Sequence, residues 1–188
     1  WHMASYYEHG ALGHQPYDAF SVKLGMTTTP LTTSTVPTGN PAPTVSYDPV
    51  RAWDTTPLAG QLGGRLHYFA GYEYLRRDAT DSAAAATALA SGTKTYNNAI
   101  NHDNLGQALT YATQRAKAQG KATGVLTSVP FSHATPAAFG AQSVSRNSYG
   151  AISEQMLMNP ALDLIMGAGH PLFDADGRPR SSPDHRYV

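Results

Sequence analysis

The 188-residue chain contains no cysteine, and that one absence removes disulfide frameworks, thiolate metal sites and cysteine nucleophiles. It leaves the compartment open. Charge is scarce as well: 14% of residues are charged, and thirteen basic side chains cancel thirteen acidic ones. Nucleic-acid surfaces rely on an excess of Lys and Arg, so no nucleic-acid partner is expected and any anion recognition must be local. No apolar run approaches the roughly 18 to 20 residues of a membrane span, and no membrane partner is expected. The first residues, Trp1-His2-Met3-Ala4-Ser5-Tyr6-Tyr7, lack the charged and apolar regions of a signal peptide, and the chain does not begin with methionine. Such a start is expected of the interior of a longer precursor or of a processed product. Internal repeats and Walker-type loops are missing, and Gly167-Ala168-Gly169 lacks the third glycine of a dinucleotide fingerprint.

Hydrophobic residues make up 41% of the chain, enough for one domain with a core. Residues 20–26 alternate like a short strand, whereas residues 27–57 are rich in Thr, Pro, Ser and Gly and form an irregular excursion. From there the pattern becomes regular. Residues 82–91 have strong helix propensity and are closed by Gly92; Asp103 or Asn104 is expected to cap a second helix running through Leu105, Ala108, Leu109, Ala112 and Ala116 to Gly120. Residues 122–129 have the pattern of a buried strand leading into a loop, 130–134, where Thr135 supplies a cap and Pro136 the first helical position. A short helix around 153–158 precedes a second buried strand at 162–166, which ends at Gly167-Ala168-Gly169. This alternation predicts an α/β fold, a mainly parallel sheet with helices on both faces. Ligands of such sheets gather at the carboxyl ends of the strands, the expected position of His133, Thr135 and the Gly167-Ala168-Gly169 turn.

The segment Thr80-Asp81-Ser82-Ala83-Ala84 places a hydroxyl between a carboxylate and an alanine-rich helix. Either Asp81 or Ser82 suits the N-cap. At such a position a side-chain oxygen meets unpaired backbone N–H groups and the positive end of the helix dipole, a setting that favours an anion such as phosphate.

Three stretches, in order, are similar to the alkaline phosphatase family: TDSAAAATALASGTKTYNNAI, GKATGVLTSVPFSHATPAAFGAQSVSR and LDLIMGAG. The resemblance is clear over residues 80–174, which would hold the nucleophile and the phosphate- and magnesium-binding core. It extends more weakly through SYYEHGALG and VKLGMTTT. It implies an alkaline-phosphatase-like fold that is incomplete here, with residues 1–188 forming part of one domain. It further implies hydrolysis of phosphate monoesters, with Ser82 as the nucleophile that becomes phosphoserine and whose oxygen meets zinc. Arg146 would be the substrate-binding arginine, Asp81 the carboxylate that orients it, Thr135 a magnesium ligand, and His133 a group near that magnesium or a loop histidine without a ligand role.

Two zincs and one magnesium are thus the expected cofactors. The expected partners are a phosphate monoester, further segments of the same enzyme or a companion chain, and a second copy in a homodimer; the expected location is periplasmic or secreted. The family's zinc sites also use carboxylates and histidines that this chain does not match. Asp184-His185 superficially resembles an Asp–His metal pair, and Asp174-Ala175-Asp176-Gly177 a calcium loop, but the second is better explained as a turn. His2, His9, His14, His67, His102 and His170 fit no standard metal spacing. The alternatives are a catalytically incompetent fragment that needs further polypeptide, or a related phosphodiesterase or sulfatase-like metallohydrolase.

Overall fold

A computed structural model describes residues 16–22, 28–58, 69–174 and 176–188. After a 3-10 turn at Pro16–Ala19 the described elements are α1 (Pro49–Ala52), α2 (Ala70–Arg77), α3 (Ser82–Ser91), α4 (Ala112–Ala118), β1 (Gly124–Pro130), α5 (Ala134–Ala137), α6 (Tyr149–Met158) and β2 (Leu164–Ala168).

The alanine helix α3 forms where its composition places it. Asp81 caps it, its Oδ1 accepting from the Ala84 N–H at 2.8 Å. Gly92 ends it in the left-handed conformation, φ +80°, donating to the Ala88 carbonyl. Small side chains allow close approach, and Ala83, Ala84, Ala86, Thr87 and Ala90 are buried. Around them the core continues through Ile100, Tyr111, Val125, Ala134, Ala137, Ala138, Ala141, Ile152 and Met156. The buried Thr87 hydroxyl donates to the Ala99 carbonyl at 3.0 Å and accepts from the Asn101 N–H at 2.9 Å, tying the helix to the segment that follows it. Asn101 then donates to the carbonyls of Ala138 and Ala141 at 2.7 and 2.8 Å.

β1 and β2 pair in parallel, Gly124 opposite Leu164 and Leu126 opposite Met166, with an irregularity before Pro130 meets Ala168. Gly167 is required there, since a Cβ would lie 2.8 Å from Thr127 Cγ2 and 3.1 Å from the Val129 carbonyl. Helices joined to a small parallel sheet make an incomplete α/β fold, as the sequence pattern implies.

Several expectations need correction. The strands are not buried: Val125 is, but Leu126 is 65% and Met166 60% exposed, because the described sheet has two strands and lacks the cover that parallel sheets normally have. β2 also starts at Leu164, two residues later than its apolar run. The second helix begins at Ala112, since the segment before it folds into a tight loop. There Asp103 Oδ1 accepts from Leu105 and Gln107, Gly106 adopts φ +82°, and Leu109 N–H bonds the Asn101 carbonyl. Asn104 serves instead as the anchor of the irregular excursion: its Oδ1 accepts from Thr38 N–H, and its Nδ2 donates to Thr38 Oγ1 and the Asn40 carbonyl. Within that excursion the structure forms the short α1, capped by Asp48. α5 begins at Ala134, so Thr135 is its second residue and not its cap; α6 begins at Tyr149, four residues before the expected start. The strand expected at 20–26 lies partly outside the described residues, and residues 20–22 form none.

Lys117 and Asp163 form an ion pair that joins α4 to the approach to β2, and the Thr123 N–H adds a bond to Asp163 Oδ2 at 2.8 Å. These bonds, Lys117 first, hold the Asp163 carboxyl below its ordinary value of 3.8. Because the folded value is depressed, the link stabilises above the ordinary range and is lost as pH falls through the folded value. Asp163→Asn is expected to lower the melting temperature at pH 7, with the gap to the unmodified protein closing as pH drops below 3.8. Identical melting at pH 7 would show that the pair contributes nothing.

Candidate active site

Ser82 is the first residue of α3 and is exposed, while Asp81 one residue earlier is the cap. The alternatives left open by sequence resolve into two different jobs. Asp81 uses Oδ1 for the helix and Oδ2 for a guanidinium: Arg146 Nη1 lies 3.2 Å from Asp81 Oδ2. The same Nη1 donates to Ser82 Oγ at 2.7 Å. Residues 64 positions apart in sequence therefore meet at one helix terminus.

Arg146 reaches this point because its loop is zipped to residues 96–101. Ile100 and Ser143 exchange N–H···O bonds of 2.8 Å, the Tyr96 hydroxyl donates to the Val144 carbonyl at 3.0 Å, and the Arg146 N–H donates to the Asn98 carbonyl at 2.8 Å. Side chains of Asp81 and Arg146 are 25% and 28% exposed, so the pair is shielded on most sides and open on one. Anion-friendly groups thus converge: an exposed hydroxyl, a guanidinium and the amino end of a ten-residue helix.

Thr135 lies in α5, which packs on α3, and His133 is its N-cap residue. His133 precedes the helix, its ring 5.6 Å from that of Tyr149 and 5.1 Å from that of Tyr187. Burial, and secondarily the Arg146 charge, hold its imidazole below the ordinary value of 6.5, so the neutral form is favoured. Its Nε2 is buried with no hydrogen-bond partner among the described residues. Thr135 is exposed and borders a cavity of about 220 Å³ beside Gly124, Leu126, Thr127 and Phe139. Ser82 and Arg146 do not line that cavity, nor a second one of about 250 Å³ along the Ala84–Leu89 flank of α3. Bonding geometry, not cavity size, marks the site.

The described residues do not fit a zinc pair, for they contain no group of three or more His, Asp or Glu side chains that could hold a metal. An exposed threonine hydroxyl and an unpartnered imidazole nitrogen would offer two contacts to a hydrated magnesium, and the described residues contain no group of three or more His, Asp or Glu side chains that would complete the set. Asp184 is engaged otherwise, accepting from the Arg186 N–H and facing Arg180 and Arg186. Asp174 closes a turn through the N–H groups of Asp176 and Arg178, as the turn reading requires. His170 accepts from Leu172 N–H and His102 Nδ1 lies 3.1 Å from the Ile100 carbonyl; His2, His9, His14 and His67 lie outside the described residues.

Sequence reasoning missed Asn97 and Asn98. Asn97 Oδ1 accepts from the Asp81 N–H at 3.0 Å, and the Asn98 N–H donates to Asp81 Oδ2 at 3.0 Å. The signal available was a pair of turn-forming asparagines inside an otherwise buried stretch. Replacing Asp81 tests the division of labour: Asp81→Ala, losing cap and ion pair, is expected to cost about 1 to 2 kcal/mol in urea unfolding. Asp81→Asn, which keeps an oxygen for the cap, is expected to cost less, and equal losses would contradict the capping role.

Alkaline phosphatase 4 of Bacillus subtilis is 41% identical over 104 residues, 53% of this chain and 23% of that protein. Among solved structures, the cold-active alkaline phosphatase of Shewanella sp. is 46% identical, covering 51% of this chain and 24% of its own, with a TM-score of 0.47. A variant of the alkaline phosphatase of the Antarctic bacterium TAB5, with magnesium bound in its M3 site, is 36% identical over 48% of this chain and 26% of its own, with a TM-score of 0.47. The chain spans about a quarter of the length of the curated relatives it matches. The alkaline phosphatase family model matches residues 25–186, nearly the whole sequence, and the chain belongs to that family.

Proposed function

We propose that this chain is the nucleophile-bearing part of an enzyme that hydrolyses phosphate monoesters through a phosphoserine at Ser82. The observation that carries this reading is the single Arg146 Nη1 that contacts both Ser82 Oγ and Asp81 Oδ2. Ser82 Oγ forms a bond to phosphorus as the ester P–O bond breaks, and the alcohol leaves with a proton. Water then attacks the phosphoserine, releasing inorganic phosphate and regenerating the hydroxyl. Arg146 grips nonbridging oxygens; both observed bonds use Nη1, and the rest of its planar fork offers further donors. Asp81 fixes that fork, and the dipole of α3 favours the anion at its amino end.

Thr135 and His133 are the residues that would face magnesium, a metal recorded for a variant of the TAB5 relative. Two zincs enter only through family membership; beside the Ser82 oxygen the described residues contain no group of three or more His, Asp or Glu that could hold them, so the further ligands would come from elsewhere in the enzyme. A periplasmic or secreted location and a homodimer are part of the same reading; no helix among the described residues is long and apolar enough to cross a membrane.

A second reading concerns the 188 residues alone. The described residues hold no group of three or more His, Asp or Glu that could bind a metal, which favours a chain that holds phosphate weakly and turns over nothing unless further polypeptide completes it. Hydrolysis of p-nitrophenyl phosphate by this chain alone, with zinc and magnesium supplied, would contradict that.

In the complete enzyme, Ser82→Ala is expected to abolish labelling by radioactive phosphate; retained labelling would refute the nucleophile assignment. Arg146→Ala is expected to weaken phosphate binding by about 2 to 4 kcal/mol, within the range for removing one partner of a hydrogen-bonded charge pair, while Ser82 still takes label at saturating ester. Unchanged inhibition by inorganic phosphate would remove Arg146 from the site.

A further inference from the structure

The nucleophile helix and the arginine loop come from distant parts of the chain, and one two-residue turn joins them. Asn98 adopts φ +86°, in the left-handed region. Its N–H donates to Asp81 Oδ2 at 3.0 Å, and its carbonyl accepts the Arg146 N–H at 2.8 Å. Its Nδ2 adds bonds to Ser145 Oγ at 3.3 Å and to the Thr35 carbonyl at 3.4 Å. Asn97 holds the other side of the carboxylate residue: Oδ1 accepts from Asp81 N–H, and Nδ2 donates to the Ala79 carbonyl at 3.3 Å.

The turn is anchored on both sides by buried residues. Tyr96, Ala99 and Ile100 on either side of it are fully buried.

We infer that Asn97 and Asn98 are positioning residues that set the register of Arg146 against Ser82, so that phosphate affinity depends on the left-handed turn they form. This rests on the phosphomonoesterase reading. With φ at +86° the Asn98 N–H serves the helix cap while its carbonyl serves the arginine loop, and one backbone unit thereby fixes both partners of the Asp81–Arg146 pair. A residue with a Cβ and no polar side chain resists that conformation; glycine adopts it freely and asparagine tolerates it. Small displacements between reacting groups carry large losses, so relaxation of this turn is felt at the site though neither asparagine touches the Ser82 hydroxyl.

The test uses the complete enzyme with Asn98→Ala, Asn98→Gly and Asn97→Ala, measuring inhibition by inorganic phosphate, labelling of Ser82 at saturating ester, and melting temperature. Asn98→Ala is expected to weaken phosphate inhibition about tenfold while Ser82 still takes label. Asn98→Gly, which keeps the backbone turn, is expected to recover to within about threefold of the unmodified enzyme. Unchanged phosphate inhibition in Asn98→Ala, or an equal loss in the glycine variant, would overturn the inference. Should Asn98→Ala not fold, Asn97→Ala decides: it keeps the backbone angles but removes the acceptor of Asp81 N–H, with an expected weakening of about threefold, and no weakening overturns the proposal. An unmodified enzyme that takes no label on Ser82 would sink the phosphomonoesterase reading and this inference with it. Normal labelling with unaltered phosphate inhibition across the variants would sink the inference alone.

Discussion

The Asp81 carboxylate is the constraint on which the rest depends. One oxygen holds the amino end of α3 through Ala84 N–H, and the other receives both Arg146 Nη1 and the Asn98 N–H. A carboxylate at a helix start is favourable in itself, since it satisfies an unpaired donor and opposes the dipole. Here that local preference also fixes a cation next to the first residue of the helix. The hydroxyl of Ser82 inherits its position from a capping interaction, and its electrostatic surroundings from the counter-ion of the cap.

Placement to this accuracy needs a rigid platform, and the core supplies it. The alanines of α3 lie against the alanines of α5 and the segment after it, where larger side chains would push the backbones apart. Thr87 and Asn101 spend their polar groups inside this interface, bonding backbone that no strand or helix satisfies. A buried polar network of this kind orients its partners more narrowly than apolar contacts do. Beyond it, Ser132 and Ser153 both donate to the Tyr187 carbonyl, and the Tyr187 ring closes over His133 and Tyr149. The segment carrying Tyr187 thus shapes the surroundings of the imidazole.

What the sequence made legible follows from how local each signal is. The alanine run and its closing glycine are contiguous, so α3 could be placed from sequence, with only the choice of Asp81 or Ser82 as its cap left to the structure. Arg146 was found through family likeness, because nothing local indicates that it returns to a helix sixty-four residues earlier in the chain. The false helix start at Asp103 arose because Leu105, Ala108 and Leu109 mimic a helical stripe, while Leu105 is half exposed and Asp103 folds a tight loop. The strands were located but their burial was misjudged, since apolar runs record what the complete fold covers and two strands alone leave Leu126, Leu164 and Met166 exposed. For Asn98 the sequence offered only the turn preference of an asparagine pair: its contribution to the site is a backbone angle and two main-chain bonds, which no spacing of side chains encodes.

The central claim is that Ser82 and Arg146 act on one phosphate group, held together by Asp81. A crystal structure of the complete enzyme with orthophosphate addresses it most directly. The account predicts phosphate oxygens on the Arg146 guanidinium, phosphorus in contact with or bonded to Ser82 Oγ, and the Asp81–Arg146 pair intact. Phosphate bound with Ser82 and Arg146 both outside its contacts would contradict it.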